Sequence, residues 1–179
     1  LEIEGPAMAM DSDTRAALES LGYVWTDHAR VDGNTVLPDP RVKIRELEYS
    51  LAKAEAAVSR QQWNLAVELL SELATTNPSN PEVFFLLLTA LTRLYRFEEA
   101  LEIGRSLVRL LPTSAKAWRR LGGIQSQAGR SEEAEVALAR ATELAPWDAD
   151  GWRLRAGAAL ERADVALAKQ LLEQASEVI

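Results

Sequence analysis

The sequence predicts an all-α superhelix built from repeated helical hairpins. Three observations predict it: a period of 34 residues, apolar residues at helical spacing inside each period, and a proline that closes each period. The closing prolines are Pro78, Pro112 and Pro146. An alanine recurs at the same interval, at Ala66, Ala100, Ala134 and Ala168. Unrelated helical hairpins would not keep one register over this length.

The register divides the chain into four units, residues 47–80, 81–114, 115–148 and an incomplete 149–179. A bulky side chain opens the last three, at Phe84, Trp118 and Trp152. Each unit has one helical pattern, a short polar break and a second helical pattern, so each is predicted to be a helix-turn-helix hairpin.

The third unit shows how residue types build the hairpin. Gly122 lacks a side chain and lets the neighbouring helix approach closely, and Gly129 supplies a C-terminal stop. Ser131 is predicted to be the N-cap of the second helix. Glu132 and Glu133 follow it, where the positive end of the helix dipole favours acidic residues.

This unit resembles the tetratricopeptide repeat (TPR) family. The matching residues are Trp118, Leu121, Gly122, Gly129, Ala134, Leu138, Ala141 and Pro146. Gln125 stands where the family prefers Tyr, and Ser50 replaces the opening aromatic residue of the first unit. The resemblance implies that the first helices of successive units line a concave groove that binds a protein or peptide.

Carrying over the groove positions of the family gives a predicted peptide-binding site. It consists of Phe85, Leu86, Thr89, Arg93, Lys116, Arg119, Arg120, Gly123, Gln127, Arg153, Leu154 and Gly157. Its basic cluster beside an apolar shelf suits a peptide with an acidic group and an apolar anchor. In the alternative, the arginines are a solvated face paired with Glu82, Asp150 or Glu161. We expect charge reversal at Arg119 and Arg120 to abolish binding of an acidic peptide without loss of helicity.

The same positions argue against the carboxylate clamp with which some TPR proteins hold chaperone C-termini. Lys116 and Arg120 fit two of its slots, but Leu51, Glu55 and Leu86 fill the others. Glu55 would repel a carboxylate.

The residues before the repeats are predicted to be a leader and a cap. Residues 1–10 have the composition of a vector-derived leader, and residues 11–46 read as a short helix, a strap and the start of a long helix with Pro40 at its first position. Residues 17–24 and 37–44 also resemble the junction before C-terminal TPRs in bacterial sulfatase-like proteins. This resemblance implies an alternative function, the accessory domain of a larger hydrolase.

The C-terminal end of the last unit suggests a second alternative, a self-assembly module. No polar capping helix follows the fourth unit in this sequence. Four apolar residues are therefore expected to be partly exposed, Leu171, Leu172, Val178 and Ile179. Their exposure would favour a homo-oligomer, or would mean that a continuing chain was cut.

Composition limits the function further. A net charge of -7 disfavours nucleic acid, and the longest apolar run is too short to span a membrane. The chain has no cysteine, and its one histidine, His28, lacks a second one to share a metal or complete a triad. We therefore predict no enzyme activity, catalytic residue, metal or cofactor. The compartment stays open: cytoplasm by default, periplasm for a sulfatase-like protein.

Overall fold

The structure is a computed structural model that describes the backbone of residues 40–178 and the side chains of residues 45–177. Within those limits the chain is all-α and contains eight helices. They are α1 Pro40–Ser59, α2 Trp63–Thr76, α3 Pro81–Arg93, α4 Phe97–Leu110, α5 Ala115–Gln127, α6 Ser131–Leu144, α7 Ala149–Glu161 and α8 Val165–Val178. The predicted leader, short helix and strap lie outside the described residues.

The helices pack in chain order. Each one contacts the next, and α1 also contacts α3, as α5 contacts α7. The first helices of successive hairpins therefore lie side by side, as in a solenoid. Helix starts repeat the predicted interval: α3, α5 and α7 begin at Pro81, Ala115 and Ala149. As the sequence predicts, α1 begins at Pro40 and, with 20 residues, is the longest of the described helices.

Polar side chains cap the first helix of each later hairpin. Asn80 accepts a hydrogen bond from the Glu82 backbone N–H (3.0 Å), Ser114 from Ala117 (3.3 Å) and Asp148 from Asp150 (3.2 Å). These bonds satisfy amide groups that the helix leaves without an internal partner.

The predicted N-cap at Ser131 is wrong by one residue. Arg130 occupies the cap position of α6 because its carbonyl accepts the first helical hydrogen bond, from Ala134 N–H at 2.9 Å. Ser131 is instead the first residue of the helix, and its hydroxyl contacts Glu161 at 3.1 Å. Glu132 and Glu133 lie in the first turn, as predicted.

A left-handed residue ends the first helix of every hairpin. Gly129 has φ 74°, and Gln61, Tyr95 and Ala163, at the equivalent positions, each have φ 58°. This backbone conformation disfavours residues with a Cβ, so glycine is well suited to the third hairpin. The expected C-terminal stop at Gly129 is confirmed.

Two tryptophans join successive hairpins. Trp118 Nε1 donates to the Pro112 carbonyl (2.9 Å), and Trp152 Nε1 donates to the Pro146 carbonyl (2.7 Å). In these two hairpins the recurring bulky residue is hydrogen-bonded to the recurring proline. This contact helps to explain why both residues share the 34-residue period.

Close helix packing depends on Gly122. A Cβ built there would lie 2.5 Å from Leu138 Cγ and 3.2 Å from the Ala134 carbonyl oxygen. Leu138 is fully buried. The predicted close approach of α5 and α6 at Gly122 is confirmed.

The C-terminal prediction is partly wrong. Leu171 is buried, 2% exposed, because it packs with Trp152 and Ala168 in a cluster between α7 and α8. Leu172, the next residue of α8, is 53% exposed as expected. The side chains of Val178 and Ile179 lie outside the described residues.

Among the described helices, none is both long enough and apolar enough to cross a lipid bilayer.

Candidate functional site

The first helices α3, α5 and α7 enclose a cavity of about 430 Å³. It is lined by Phe85, Leu86, Thr89, Thr92, Lys116, Arg119, Arg120, Gly123, Ile124, Gln127, Asp150, Arg153 and Leu154. All the predicted site residues except Arg93 and Gly157 contribute to this lining.

A second cavity of about 400 Å³ adjoins the first. It is lined by Thr89, Thr92, Arg93, Tyr95, Arg120 and Gln127. Four of these residues also line the first cavity, so we call the two together the groove. Four lining residues lie outside the predicted site: Thr92, Tyr95, Ile124 and Asp150. Ile124 has an ordinary core spacing, and Tyr95 lies in a turn.

One side of the groove is apolar. Phe85, Leu86 and Leu154 are half-buried there, and we call them the apolar shelf. The Lys116 ammonium lies 4.4 Å from the centre of the Phe85 ring, a distance at which a cation interacts favourably with the ring face. The two glycines leave space: a Cβ at Gly123 would meet only Leu154 Cδ1, at 3.8 Å, and one at Gly157 would meet nothing within 4 Å.

Arg119 is held by carboxylates. Its Nη1 lies 2.7 Å from both carboxylate oxygens of Asp148 and 3.5 Å from Asp150. Asp148 is also the N-cap of α7, so this ion pair ties α5 to the start of the next hairpin. Arg153 pairs with Asp150 at 3.2 Å in an exposed position. Asp150 is thus a partner, as the alternative reading expected.

The other two expected partners behave differently. Glu161 accepts hydrogen bonds from the hydroxyls of Ser126 (2.7 Å) and Ser131 (3.1 Å). Among the described side chains, Glu82 makes no salt bridge. Asp148, the residue closest to Arg119, is not among the partners expected from the sequence.

Arg120 has a different environment from its neighbour Arg119. Its side chain is half-buried, and its Nη2 donates to Thr89 Oγ1 at 2.5 Å. The Thr89 hydroxyl donates in turn to the Phe85 carbonyl (2.9 Å), which leaves its lone pairs for Arg120. Among the described residues no carboxylate forms a salt bridge with Arg120, and its buried Nε has no partner.

Burial lowers the pKa of Arg120, and the positive charges of Arg93 and Arg119 lower it further. Guanidinium still remains protonated at neutral pH, because its ordinary pKa is far above 7. The structure therefore holds a charged group in a partly desolvated place without an anionic partner in the described part of the chain.

Arg93 is exposed and lines the second cavity of the groove. Its guanidinium is 5.9 Å from the centre of the Trp63 ring. Together, five cations of the groove (Arg93, Lys116, Arg119, Arg120 and Arg153) face two carboxylates, Asp148 and Asp150. The groove therefore carries a formal charge of about +3 by this count, whereas the whole chain carries -7.

In the part of the chain that the structure describes, no three acidic or histidine side chains form a cluster that could hold a metal ion. His28 lies outside that part. The groove itself presents cationic, hydroxyl and apolar side chains.

The described helices form an all-α solenoid of the TPR type. Residues 91–158 match the family model of the tetratricopeptide repeat, a stretch that contains the end of α3, all of α4, α5 and α6, and most of α7. No curated protein matches this sequence.

Solved structures show the same fold. MamA 41-end from Desulfovibrio magneticus RS-1 is 17% identical, with 74% of this chain and 75% of that chain covered and a TM-score of 0.69. The structure MamA MSR-1 C2 is 21% identical over 74% and 76% of the two chains, with a TM-score of 0.65. YrrB, described as a TPR protein with an unusual peptide-binding site, is 19% identical over 76% and 80%, with a TM-score of 0.65.

At these identities the likeness concerns the fold. The sulfatase-like resemblance rests on residues 17–24 and 37–44, which the matched stretch 91–158 does not include. The accessory-domain function therefore stays a prediction from sequence.

Proposed function

We propose that the chain is a non-catalytic scaffold that binds an extended segment of a partner protein in the groove. The observation that carries this proposal is the contrast between the groove and the rest of the molecule. A positively charged, partly apolar concavity lies within an acidic protein, so its charges attract a segment of opposite sign.

The shape of the groove supports an extended ligand. Its two cavities share Thr89, Thr92, Arg120 and Gln127, so they form one continuous depression across α3, α5 and α7. Each cavity has a volume typical of ligand sites, which range over about 300–1,000 Å³. The fold relative YrrB, whose title names a peptide-binding site, makes this use of a TPR surface reasonable.

The expected affinity is modest. Exposed ion pairs contribute only about 0.2–1 kcal/mol each, so charge alone does not hold a peptide. Burial of apolar ligand atoms on the shelf must supply the remainder. We expect dissociation constants near micromolar, which correspond to a binding free energy of about -8 kcal/mol.

Selection from a random library of displayed linear peptides tests the proposal. The affinity of selected peptides is then measured by fluorescence polarisation for the wild type and for Lys116→Glu. Lys116 is exposed at the groove, so charge reversal there is expected to weaken binding about tenfold without unfolding the chain.

Arg109→Glu is the matched control. Arg109 is exposed in the last turn of α4, donates to the Ser106 hydroxyl and lines neither cavity. Equal affinity of the wild type and Lys116→Glu for every selected peptide would overturn the proposal.

The structure changes the choice of variant that the sequence suggested. A glutamate at position 119 would face Asp148 and Asp150, and one at position 120 would be half-buried beside Thr89. Reversal at these two positions therefore costs stability as well as ligand affinity, and it does not isolate binding.

Self-association is a second candidate function, favoured by one surface at the C-terminal end. Leu160, Val165 and Leu172 are 54%, 66% and 53% exposed, and all three line an open cavity of about 550 Å³ between α7 and α8. Light scattering across a concentration series tests it. A dimer that Leu172→Gln dissociates supports this candidate, and a monomer at every concentration rejects it.

A further inference from the structure

Two adjacent arginines in α5 have different electrostatic surroundings. Arg119 makes a close ion pair with Asp148 and a longer one with Asp150. Arg120 instead contacts α3, where its one described hydrogen bond is to the neutral hydroxyl of Thr89. Arg119 is therefore neutralised within the fold, and Arg120 is not neutralised by any described carboxylate.

An unneutralised guanidinium in a partly buried place is unfavourable. Burial removes water from the charge, and the nearby cations Arg93 and Arg119 repel it. Proteins normally give such groups an anionic partner or extra hydrogen-bond acceptors. Arg120 has five N–H donors, of which the described acceptors use one.

The position of Arg120 makes it available to a ligand. It lines both cavities of the groove, and Phe85, Leu86 and Leu154 line the first cavity with it. Thr89 holds the guanidinium from one side, and Thr89 is itself fixed by its bond to the Phe85 carbonyl. The cation is therefore oriented before any ligand arrives, which lowers the entropic cost of binding.

We propose that Arg120 receives one acidic side chain of the bound segment, with an apolar neighbour of that residue on the shelf. The inference rests on the proposed function and specifies its ligand class: a peptide with an internal Asp or Glu next to an apolar residue. An internal side chain is favoured over a chain terminus because the slots for a C-terminal carboxylate clamp are occupied by Leu51, Glu55 and Leu86.

Arg119 has a separate role in this account. Its ion pair with the Asp148 cap joins two hairpins by linking α5 to the start of α7. It contributes to the field of the groove but does not receive the ligand carboxylate. The neighbouring residues thus divide structure and recognition between them.

The experiment uses two synthetic tripeptides, acetyl-Leu-Glu-Leu-amide and acetyl-Leu-Gln-Leu-amide, which differ only in the charge of the central residue. Each is titrated into the full ¹⁵N-labelled chain, and the Nε–Hε signals of the arginines are followed by NMR. The Arg120 signal is assigned from Arg120→Gln. We expect the glutamate peptide to move it in a saturable way and to bind about tenfold more tightly than the glutamine peptide.

Three variants separate recognition from packing. Arg120→Gln is expected to lose the preference for glutamate, Arg109→Gln to keep it, and Arg120→Lys to keep part of it, because lysine retains the charge without the planar fork. A purely structural role of Arg120 would change the urea midpoint and leave the ratio of the two affinities unchanged. If Arg120→Gln does not fold, the wild type and Arg120→Lys still give that ratio.

The outcomes distinguish the subsite from the groove. Equal binding of both peptides to the wild type, or an unchanged preference in Arg120→Gln, overturns the Arg120 subsite while leaving a peptide-binding groove. Binding of neither peptide, together with a display library that yields no groove ligand, overturns both.

Discussion

Substitution of Gly122 by alanine is predicted to destabilise the chain, although alanine is the better helix former. The new Cβ would lie 2.5 Å from Leu138 Cγ, 2.9 Å from Leu138 Cδ2 and 3.2 Å from the Ala134 carbonyl oxygen. The first of these atoms is the branch point of a fully buried side chain and the last is backbone, so neither moves cheaply.

The net effect follows from two opposed terms. Overpacking of a dense core costs about 1–3 kcal/mol, and the contacts at Gly122 favour the upper end of that range. Replacement of glycine by alanine inside a helix returns about 1 kcal/mol. We therefore expect Gly122→Ala to lower the free energy of unfolding by about 2 kcal/mol, measured by urea denaturation and far-UV circular dichroism.

Gly157→Ala is the matched control for this measurement. Gly157 lies inside α7, and a Cβ there would meet nothing within 4 Å, so the same substitution should stabilise by about 0.5–1 kcal/mol. In a Leu138→Ala background, Gly122→Ala should cease to destabilise because its main obstacle is gone. Equal effects of Gly122→Ala and Gly157→Ala would refute the close-packing argument.

The remaining predictions concern single contacts, each measured as a change in the free energy of urea unfolding. Ala163→Gly should stabilise by about 0.5–1 kcal/mol because Ala163 has φ 58°, and no gain would contradict the assigned turn. Trp152→Phe should cost about 1–2 kcal/mol through loss of the bond to the Pro146 carbonyl, whereas a neutral result would show that this bond adds nothing. Thr89→Val should cost about 1–3 kcal/mol because Arg120 loses its acceptor, and the prediction fails if the variant is as stable as the wild type.

The fold could be predicted from sequence because its signals are local and repeated. Backbone requirements recur at the same position of successive units, as at Gly122, Gly129 and the closing prolines. A unit with a weak pattern can therefore be placed from the register of its neighbours. The N-cap at Ser131 was misplaced because the first helical hydrogen bond, from Ala134 to Arg130, depends on turn geometry.

The groove could be predicted in outline, since its residues follow from the repeat register, and the structure gathers most of them around one cavity. The residues with which the groove arginines form ion pairs could not be predicted. Asp148 and Arg119 are far apart in sequence and meet only because the start of α7 packs beside α5. Leu171 was likewise misjudged, because a single helical position separates the face of α8 that packs from the face that is exposed.

The central claim is that the groove recognises an acidic side chain through Arg120. It is tested most directly by a double-mutant cycle between the tightest peptide from the display selection, with its acidic residue replaced by the amide, and Arg120→Gln. The account predicts a coupling free energy of about 1 kcal/mol or more, since a charge-assisted bond is present only in the unmodified pair. A coupling near zero, with both single changes additive, would contradict it.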